Sequence, residues 1–513
     1  VNSGEGFLND KDRNYLKQNG IELAKGTIEN LYEDQFNIYR AFTTAEDELY
    51  LSYVSTDKEQ KAKRQSILIS RIKKMFKNLK EESDVVSKND SILTAESTFN
   101  QMLSNIKDFK QGKEIDEIWF AVYNWYMQND EWKPKLKEAI KGFSHKNDAE
   151  KITEENIKRL YGNTLKTSVS RLEQYRECPF SFHLKYGLKL KEREEFVVRP
   201  IDTGSFMHEV IDEFFENTRN IKTIEDQEIK EIVNNIIDEK LSLSKNYIFT
   251  STPRFAVLTN ILKKAILQSI TYIVQQMKNS DFEIAGNEIE FNRKIDNVEI
   301  TGKIDRIDTA QNEQGKYIRI IDYKSSDRSI NLNELEAGTQ IQLLTYLDTA
   351  VEKTKNIPVG MLYFNLIDPV IKASRNLTDE QIQEELKKQF RMSGMVLADV
   401  NIIRMMDKNL QTGASSTIPV TLDKNGDIMD SRSNAITKEQ FTLLQNKVKK
   451  IIKQIAKEIL EGNIEIKPTY NKGKKEEACK YCEYKSICCF NPNVNNYSFI
   501  DNKSKKELLD NLQ

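Results

Sequence analysis

The sequences GKIDRID, at residues 302–308, and IIDYKSS, at residues 320–326, decide the fold of this chain. Apolar and polar residues alternate through both stretches, and a third such stretch, GMLYFNLID, occupies residues 360–368. Alternation with a period of two is typical of a β-strand. Between the second and third stretches, TQIQLLTYLDTA at residues 339–350 has the spacing of a helix. The sequence therefore predicts a mixed α/β core.

The first two predicted strands carry side chains suited to binding a divalent cation. Successive residues of a strand point to opposite faces, so Asp322 and Lys324 share a face and Tyr323 points away. If the two strands are neighbours, Asp305 joins them. Two carboxylates are hard ligands for Mg²⁺, and a lysine beside them can orient or activate an attacking water, which favours phosphodiester hydrolysis. The alternative is that these aspartates form turns at the strand ends.

Five cysteines occur in the chain, and four of them, Cys479, Cys482, Cys488 and Cys489, are clustered near its end. Clustering of this kind in a long chain favours metal binding over disulfides. Cys178 is the only cysteine remote from the cluster. Four thiolates suit either a tetrahedral zinc ion or an iron-sulfur cluster, and the spacing alone does not separate the two.

Composition sets broad limits on the protein class. The chain has 513 residues, a formal net charge of −2, 38% hydrophobic residues and 30% charged residues. This length indicates about three domains, and the composition is typical of a helix-rich globular protein. Such a balanced charge does not mark the whole chain as a polyanion binder. No signal peptide or bilayer-spanning apolar run is visible, so we expect a cytoplasmic protein without a membrane partner.

Positive charge is concentrated between Lys447 and Lys475, where nine lysines accompany three glutamates. Apolar residues at helical spacing from Thr437 to Glu461 predict a long amphipathic helix through much of this stretch. The lysines then form either a solvated helix face or a surface for DNA phosphates.

In order and residue type, GxIDR, IIDYKSS and QLLTY resemble the PD-(D/E)xK nucleases of the RecB branch. The resemblance implies an active site built from an upstream histidine, two aspartates and a lysine, beside a helix with a Q-x-x-x-Y motif. The matching positions are His208, Asp305, Asp322, Lys324, Gln342 and Tyr346. It also implies that Mg²⁺ is bound by His208, Asp305, Asp322 and the backbone carbonyl of Tyr323. Packing in the core is an equal alternative for Tyr346.

The sequence CPFSFHLKYGLKL at residues 178–190, combined with C-x₂-C-x₅-C near the end, resembles the iron-sulfur staple of AddB-type subunits. The resemblance implies a 4Fe-4S cluster bound by Cys178, Cys479, Cys482 and Cys488. Cys488 is preferred to Cys489 because it keeps the interval of the family. Such a cluster closes a loop of about three hundred residues and removes entropy from the unfolded chain as a crosslink does.

The sequence YRAFTTAEDELYLSY at residues 39–53 resembles the last helicase motif of superfamily 1 motors, with Thr44 in place of an arginine that contacts ATP. No G-x-x-x-x-G-K-[ST] loop is present, so we expect no ATPase activity from this chain alone. Residues 48–54 are predicted as a strand. The organisation predicted is the tail of a degenerate helicase-like domain at residues 1–80, a helical region and linker at 81–166, and a nuclease domain at 167–513.

The resemblance as a whole implies the nuclease subunit of a heterodimeric ATP-dependent helicase-nuclease. An AddA-like partner would supply ATP-driven translocation and a second nuclease. This subunit would cut one DNA strand during the processing of double-strand breaks for recombination. Two alternatives remain from the sequence: a DNA-binding scaffold with an inert nuclease fold, and a stand-alone exonuclease of the CRISPR-associated type.

Overall fold

The computed structural model describes residues 8–55, 62–81, 92–110, 113–144, 146–193, 195–368 and 378–510. The chain divides into two compact units, Val1–Ala139 and Ile140–Gln513. The three-part division expected from the sequence stays a prediction. Among the described residues, no helix combines the length and apolar character needed to cross a membrane.

Six helices begin in the described part of the first unit. They are α1 (Asp10–Gln18), α2 (Thr27–Thr43), α3 (Ile67–Met75), α4 (Ala95–Lys110), α5 (Ile118–Gln128) and α6 (Trp132–Lys141). An aromatic cluster joins α4, α5 and α6, with the ring of Tyr126 5.2 Å from that of Phe99 and 5.5 Å from that of Trp132. Residues 48–54, predicted as a strand, form none within the described residues. An alternating pattern makes a strand only when a neighbour completes the hydrogen-bond ladder.

The second unit contains the remaining helices and all the described strands. Its helices are α7 (Glu154–Tyr161), α8 (Val169–Glu177), α9 (Pro179–Phe182), α10 (Pro200–Asn217), α11 (Asp226–Ser242), α12 (Pro253–Lys278), α13 (Leu332–Ala337), α14 (Gln342–Thr354), α15 (Asp379–Gln389), α16 (Val400–Met406), α17 (Lys438–Leu460), α18 (Lys485–Cys488) and α19 (Lys505–Asp510). Its strands are β1 (Leu165–Thr167), β2 (Glu283–Ile295), β3 (Val298–Asn312), β4 (Gly315–Lys324), β5 (Ile357–Asn365), β6 (Ser393–Leu397), β7 (Gly413–Ala414), β8 (Thr421–Leu422), β9 (Ala435–Ile436), β10 (Thr469–Asn471), β11 (Glu476–Glu477) and β12 (Ser498–Ile500).

A mixed seven-stranded sheet forms the centre of the second unit, in the order β1-β3-β4-β5-β6-β9, with β2 paired to β3. The pairs β2-β3, β3-β4 and β5-β6 are antiparallel, whereas β1-β3, β4-β5 and β6-β9 are parallel. The three strands predicted from the sequence correspond to β3, β4 and β5. The predicted mixed α/β fold is therefore confirmed.

Strand β3 pairs with two different strands along one edge. Its first residues, Val298 to Ile300, pair with β1, and the stretch from Arg306 onwards pairs with β4. Because β2 follows β3 along the other edge, β1 and β4 share the same edge. Residues 301–305 therefore lie between the part of β3 that pairs with β1 and the part that pairs with β4. The side chain of Asp305 can accept a hydrogen bond in this gap.

Helices pack on both faces of the sheet. Arg319 and Lys324 both lie in β4, and the interval between their positions is odd. Side chains alternate along a strand, so these two point to opposite faces of the sheet. The guanidinium of Arg319 lies 3.9 Å from the sulfur of Met277 in α12. On the other face, Lys324 contacts Gln342 of α14. The end of β4 is thus enclosed by helices from two layers.

A buried ionic cluster lies on the α12 side of the sheet. The guanidinium of Arg306 donates to Asp308 at 2.6 Å and 2.8 Å, and Nε of Arg319 donates to the same carboxylate at 2.9 Å. All three side chains are at most 3% exposed. Two buried guanidinium groups therefore share the carboxylate of Asp308.

The long helix predicted near the end of the chain is α17, which begins at a capping box formed by Thr437 and Gln440. Its predicted apolar face is buried, as the pattern indicated: Phe441, Leu444, Val448, Ile451, Ile452, Ile455 and Ile459. α17 packs against α14 and α8.

Candidate active site

His208 is placed by the apolar stripe of α10. Met207, Val210 and Ile211 are at most 3% exposed, so this helix is fixed against the core. His208 lies beside that stripe and faces the end of β4. Its Nε2 is 3.1 Å from the carbonyl oxygen of Tyr323. A histidine more than a hundred residues upstream thus reaches the strand that carries the D-Y-K sequence.

Asp305 and Tyr323 connect β3 to β4 beyond the last regular pair. The backbone N–H of Tyr323 donates to Oδ2 of Asp305 at 2.8 Å. The same carboxylate oxygen lies 3.6 Å from Nδ1 of His208. Three of the residues implied by the resemblance therefore meet at one point.

Asp322 and Lys324 project from one face of β4, as the alternation predicted. Asp322 is 1% exposed, and neither of its carboxylate oxygens accepts a hydrogen bond within the described residues, although the ammonium of Lys324 forms an ion pair with it. A buried carboxylate with free acceptor capacity is a natural ligand for a cation.

The Q-x-x-x-Y helix lies beside the lysine. Nζ of Lys324 donates to Oε1 of Gln342 at 3.2 Å, and Nε2 of Gln342 donates to the hydroxyl of Tyr346 at 2.9 Å. Tyr346 is 6% exposed and packs edge-on against Phe291, with ring centroids 5.5 Å apart. Tyr346 therefore both packs in the core and contacts the site.

Glu288 is a site residue that the sequence interpretation missed. Its Oε1 lies 3.8 Å from Nδ1 of His208, and its carboxylate also forms an ion pair with Lys303. The neighbours of Glu288 pair with Arg306 and Ile304, which places Glu288 opposite Asp305. Its φ of 49° lies in the left-handed region, which is costly for a non-glycine residue and is therefore maintained by the surrounding structure.

A signal for Glu288 was present in the sequence. The residues Asp296-Asn297 form a tight turn between β2 and β3, and Ile295 pairs with Val298 directly across it. Counting back from such a turn aligns Glu288 with Asp305, because the register of a hairpin is fixed by its turn. That inference required β2 to be predicted as a strand.

The electrostatics of the site depend on burial. Burial, and then the negative charge of Asp322, raise the pKa of Asp305 to about 7. Burial alone would lower the pKa of His208, but hydrogen bonding to Glu288 and the charges of Asp305 and Asp322 outweigh it, and the pKa is raised. This concentration of negative charge favours a bound cation.

These groups line one cleft of about 510 Å³, together with the first turns of α10. Within the described residues, one ligand atom each from His208, Glu288 and Asp305 lies within 4.8 Å of the others. Asp322 and Tyr323 line the same cleft, but Asp322 is outside that closest group. Imidazole nitrogen, carboxylate oxygens and a backbone carbonyl form a donor set that fits a divalent cation such as Mg²⁺.

A second cavity, of about 350 Å³, is lined by four cysteines, Cys178, Cys479, Cys482 and Cys488. Cys178 follows α8, and the other three lie in the segment after β11. Cys489 is exposed and is absent from the residues that line the cavity. Burial raises the pKa of the thiol of Cys178 and that of Cys479, to about 12 for the latter.

Four thiols around one cavity can serve as ligands of a metal centre. Thiolates of this number suit either a tetrahedral zinc ion or an iron-sulfur cluster.

Most lysines of the basic stretch are paired with acidic side chains. Seven of the nine form ion pairs: Lys447 with Glu336, Lys449 with Asp348, Lys453 with Asp296, Lys457 with Glu461, Lys467 with Glu465, Lys472 with Asp501, and Lys474 with Glu334. This arrangement favours a solvated face over a dedicated surface for DNA phosphates.

Two models of known protein families match this chain. A family model for the PD-(D/E)XK nuclease superfamily matches residues 166–489, more than half of the chain. A second model, for the ATP-dependent helicase/deoxyribonuclease AddB fifth domain, matches residues 87–142.

Curated relatives extend the similarity to the whole chain. The B-subunit of the ATP-dependent helicase/deoxyribonuclease of Clostridium novyi is 37% identical over 543 residues, which cover 100% of this chain and 47% of that protein. The proteins of the same name from Clostridium acetobutylicum and Clostridium kluyveri are 38% and 36% identical, and the matches cover 98% and 100% of this chain and 46% and 47% of those proteins. This chain therefore spans about half the length of these relatives. The comparisons confirm the resemblance drawn from the motifs: the chain belongs to the PD-(D/E)XK nuclease superfamily and is similar over its whole length to AddB-type subunits.

Proposed function

We propose that this chain hydrolyses DNA phosphodiester bonds in a Mg²⁺-dependent reaction, as the nuclease-bearing part of a heterodimeric helicase-nuclease. The observation that carries the proposal is the convergence of His208, Asp305, Asp322 and Lys324, which come from three separate elements, on one cleft. An isolated aspartate at a strand end has a structural explanation, whereas this combination of donors around open space does not.

The residues that would hold Mg²⁺ are His208, Asp305, Asp322 and the carbonyl of Tyr323, and we add Glu288. When bound there, the cation would act as a Lewis acid toward the phosphate. Asp305 lines the cleft, and the N–H of Tyr323 holds its carboxylate there. Glu288 and Asp305 flank Nδ1 of His208, which fixes the orientation of the imidazole ring.

Lys324 is the residue we assign to the attacking water. Its ammonium is held between Asp322 and the side-chain oxygen of Gln342, and it has a remaining N–H to orient a water in the cleft. The water oxygen bonds to phosphorus and gives up one proton, the ester P–O bond breaks, and the leaving oxygen takes up one proton, so that one water is consumed for each bond cut. The fixed ammonium of Lys324 would orient the water before the reaction. This contributes to the rate because the entropy cost of ordering the water is no longer part of the barrier.

We propose that the four thiols around the second cavity hold a 4Fe-4S cluster with a structural role. The fourth ligand would be Cys488 rather than Cys489, because Cys488 lines the cavity and Cys489 is exposed. A crosslink between Cys178 and the terminal segment ties α8 to the end of the nuclease domain.

The biological role proposed is the processing of double-strand breaks for recombinational repair, with exonuclease action on one strand in the cytoplasm. The relatives carry the name of B-subunits of ATP-dependent helicase/deoxyribonucleases, and an AddA-like partner would supply translocation along DNA. The alternative of an inert DNA-binding scaffold depends on the lysines between Lys447 and Lys475 binding phosphates. It loses support because most of these lysines form ion pairs within the protein.

The test is Mg²⁺-dependent cleavage of single-stranded DNA by the full-length protein with its partner. Asp322→Ala should remove the cleavage due to this protein, provided the nuclease site of the partner is inactivated in all samples. Asp327→Ala, an exposed aspartate three residues after Lys324, is the matched control and should cut like the wild type. Equal cleavage by the Asp322 variant and the wild type would refute the proposed function.

A further inference from the structure

Glu173 lies in α8, far along the chain from the catalytic motifs, yet its carboxylate reaches the beginning of α14. Oε1 of Glu173 accepts the backbone N–H of Ile341 at 2.7 Å and that of Gln342 at 2.9 Å. The side chain is 9% exposed. A buried carboxylate with two backbone donors on one oxygen holds that backbone in a fixed place.

The start of α14 has no local cap of its own. Ile341 occupies the N-cap position, and it offers no side-chain hydrogen bond to the helix. The first N–H groups of a helix have no partner within the helix, and a buried N–H without a partner is costly. Glu173 therefore does from α8 what a serine or aspartate at the cap would do locally.

Gln342, whose backbone Glu173 holds, also contacts Lys324, the lysine assigned to the attacking water. Gln342 accepts from Nζ of Lys324 through Oε1 at 3.2 Å and donates to the hydroxyl of Tyr346 through Nε2 at 2.9 Å. Its backbone is fixed by Glu173 and its side chain by two groups of the site. A displacement of the first turn of α14 would move the oxygen that orients Lys324.

We propose that Glu173 is a positioning residue for the hydrolytic reaction: by holding the first turn of α14 it keeps Gln342 against Lys324. This inference rests on the proposed nuclease function and concerns the same site. Burial raises the pKa of Glu173 to about 7, although the nearby charges of Arg328 and Lys324 oppose this. What the helix requires is an acceptor oxygen, and a glutamine supplies one.

The experiment uses the full-length protein with its partner, the nuclease site of the partner being inactivated, and a single-stranded oligonucleotide with Mg²⁺. Glu173→Met fills a similar volume without an acceptor. We expect its kcat to fall about tenfold or more, because a small misplacement of a catalytic group is costly, while KM stays unchanged. Glu173→Gln should restore most of kcat.

The matched control is Glu458→Met, because Glu458 of α17 also binds α8, through Arg176 at 3.2 Å, and among the described residues it forms no hydrogen bond or ion pair with the start of α14. It should lower thermal stability without lowering kcat. A purely structural role for Glu173 predicts the same behaviour for Glu173→Met, and that result would overturn the inference. Equal impairment of the Met and Gln variants would also overturn it, because the acceptor oxygen would then be irrelevant.

A double-mutant cycle adds a second measurement. If Glu173 acts through Gln342, its replacement should cost little in a Gln342→Ala background, and additive losses would contradict the inference. If Glu173→Met fails to fold, Glu173→Asp takes its place, since its carboxylate is one methylene shorter and should also lower kcat. Wild-type kcat in that variant would refute the role. Failure of the proposed function is seen separately, as full cleavage by Asp322→Ala.

Discussion

The backbone N–H of Tyr323 donates to the carboxylate of Asp305 at 2.8 Å, and this bond joins the two strands on which the site is built. It lies at the point where β3 has left its pairing with β1 and has not yet entered its regular pairing with β4. At this point the side chain of Asp305, rather than a backbone carbonyl, accepts the hydrogen bond between β3 and β4. The carboxylate of Asp305 thus joins two strands and also lines the cleft.

The raised pKa of Asp305 predicts a pH-dependent response to Mg²⁺. Because its pKa rises from 3.8 to about 7 on folding, its contribution to stability is present at low pH and is lost as the pH rises through about 7. Bound Mg²⁺ offsets the buried negative charge, and protons compete with it at lower pH. We expect the rise in Tm caused by Mg²⁺ to be a few degrees larger near pH 8 than near pH 6. Asp305→Asn should reduce this difference, and an equal rise at both pH values in the wild type would contradict the assignment.

Glu288 should contribute to cation binding. Glu288→Gln keeps the shape of the side chain but removes a negative charge beside His208, so we expect the Mg²⁺ concentration for half-maximal cleavage to rise about 10- to 100-fold. Glu290→Gln is the matched control, because Glu290 is an exposed glutamate on the same strand. If both variants respond to Mg²⁺ like the wild type, Glu288 has no part in the cation site.

Cys178 and Cys489 should behave differently. Cys178 lines the cavity with three other thiols, whereas Cys489 is exposed and outside it. Cys178→Ala should lose bound iron and the visible absorption of the cluster, and the domain should be destabilised by about 2 to 5 kcal/mol, as when a crosslink is removed. Cys489→Ala should retain both. Iron content and thermal unfolding distinguish the two, and full iron content in the Cys178 variant would exclude it as a ligand.

Asp308 should be essential for stability rather than for catalysis. Asp308→Asn leaves the guanidinium groups of Arg306 and Arg319 buried without a counter-charge. We expect a loss of about 3 to 5 kcal/mol in the free energy of unfolding, measured with urea. For comparison, Asp281→Asn removes an exposed ion pair with Lys408 and should cost at most about 1 kcal/mol. If both variants lose a similar free energy of unfolding, the buried cluster stabilises the fold no more than an exposed ion pair does.

The sequence predicted the elements whose local pattern is strong. Strands β3, β4 and β5, the existence of helix α14 and the buried face of α17 follow from periodicity alone. The contact between Gln342 and Tyr346 also follows, since residues four apart share a helix face. These features could be predicted because each depends on neighbours in the sequence.

Elements stabilised mainly by distant partners were missed. Strand β2 carries charged residues along both faces, so its alternation is weak, and β1 and β9 have three and two residues. Such strands exist because a neighbouring strand completes their hydrogen bonds. Residues 48–54 show the reverse case, with a strong pattern and no strand among the described residues. Glu173 was missed for a related reason, because nothing near it in the sequence indicates a partner 168 residues away.

The edge of β3 shared by β1 and β4 has a consequence for synthesis of the protein. Residues 165–167 emerge from the ribosome long before residues 298–300, with which they pair, and β4 and α14 follow later still. Closing so large a loop is slow compared with forming a helix, and domains fold as their chain is completed. A growing polypeptide therefore cannot complete the cleft in which His208, Asp305 and Gln342 meet until α14 has also been translated.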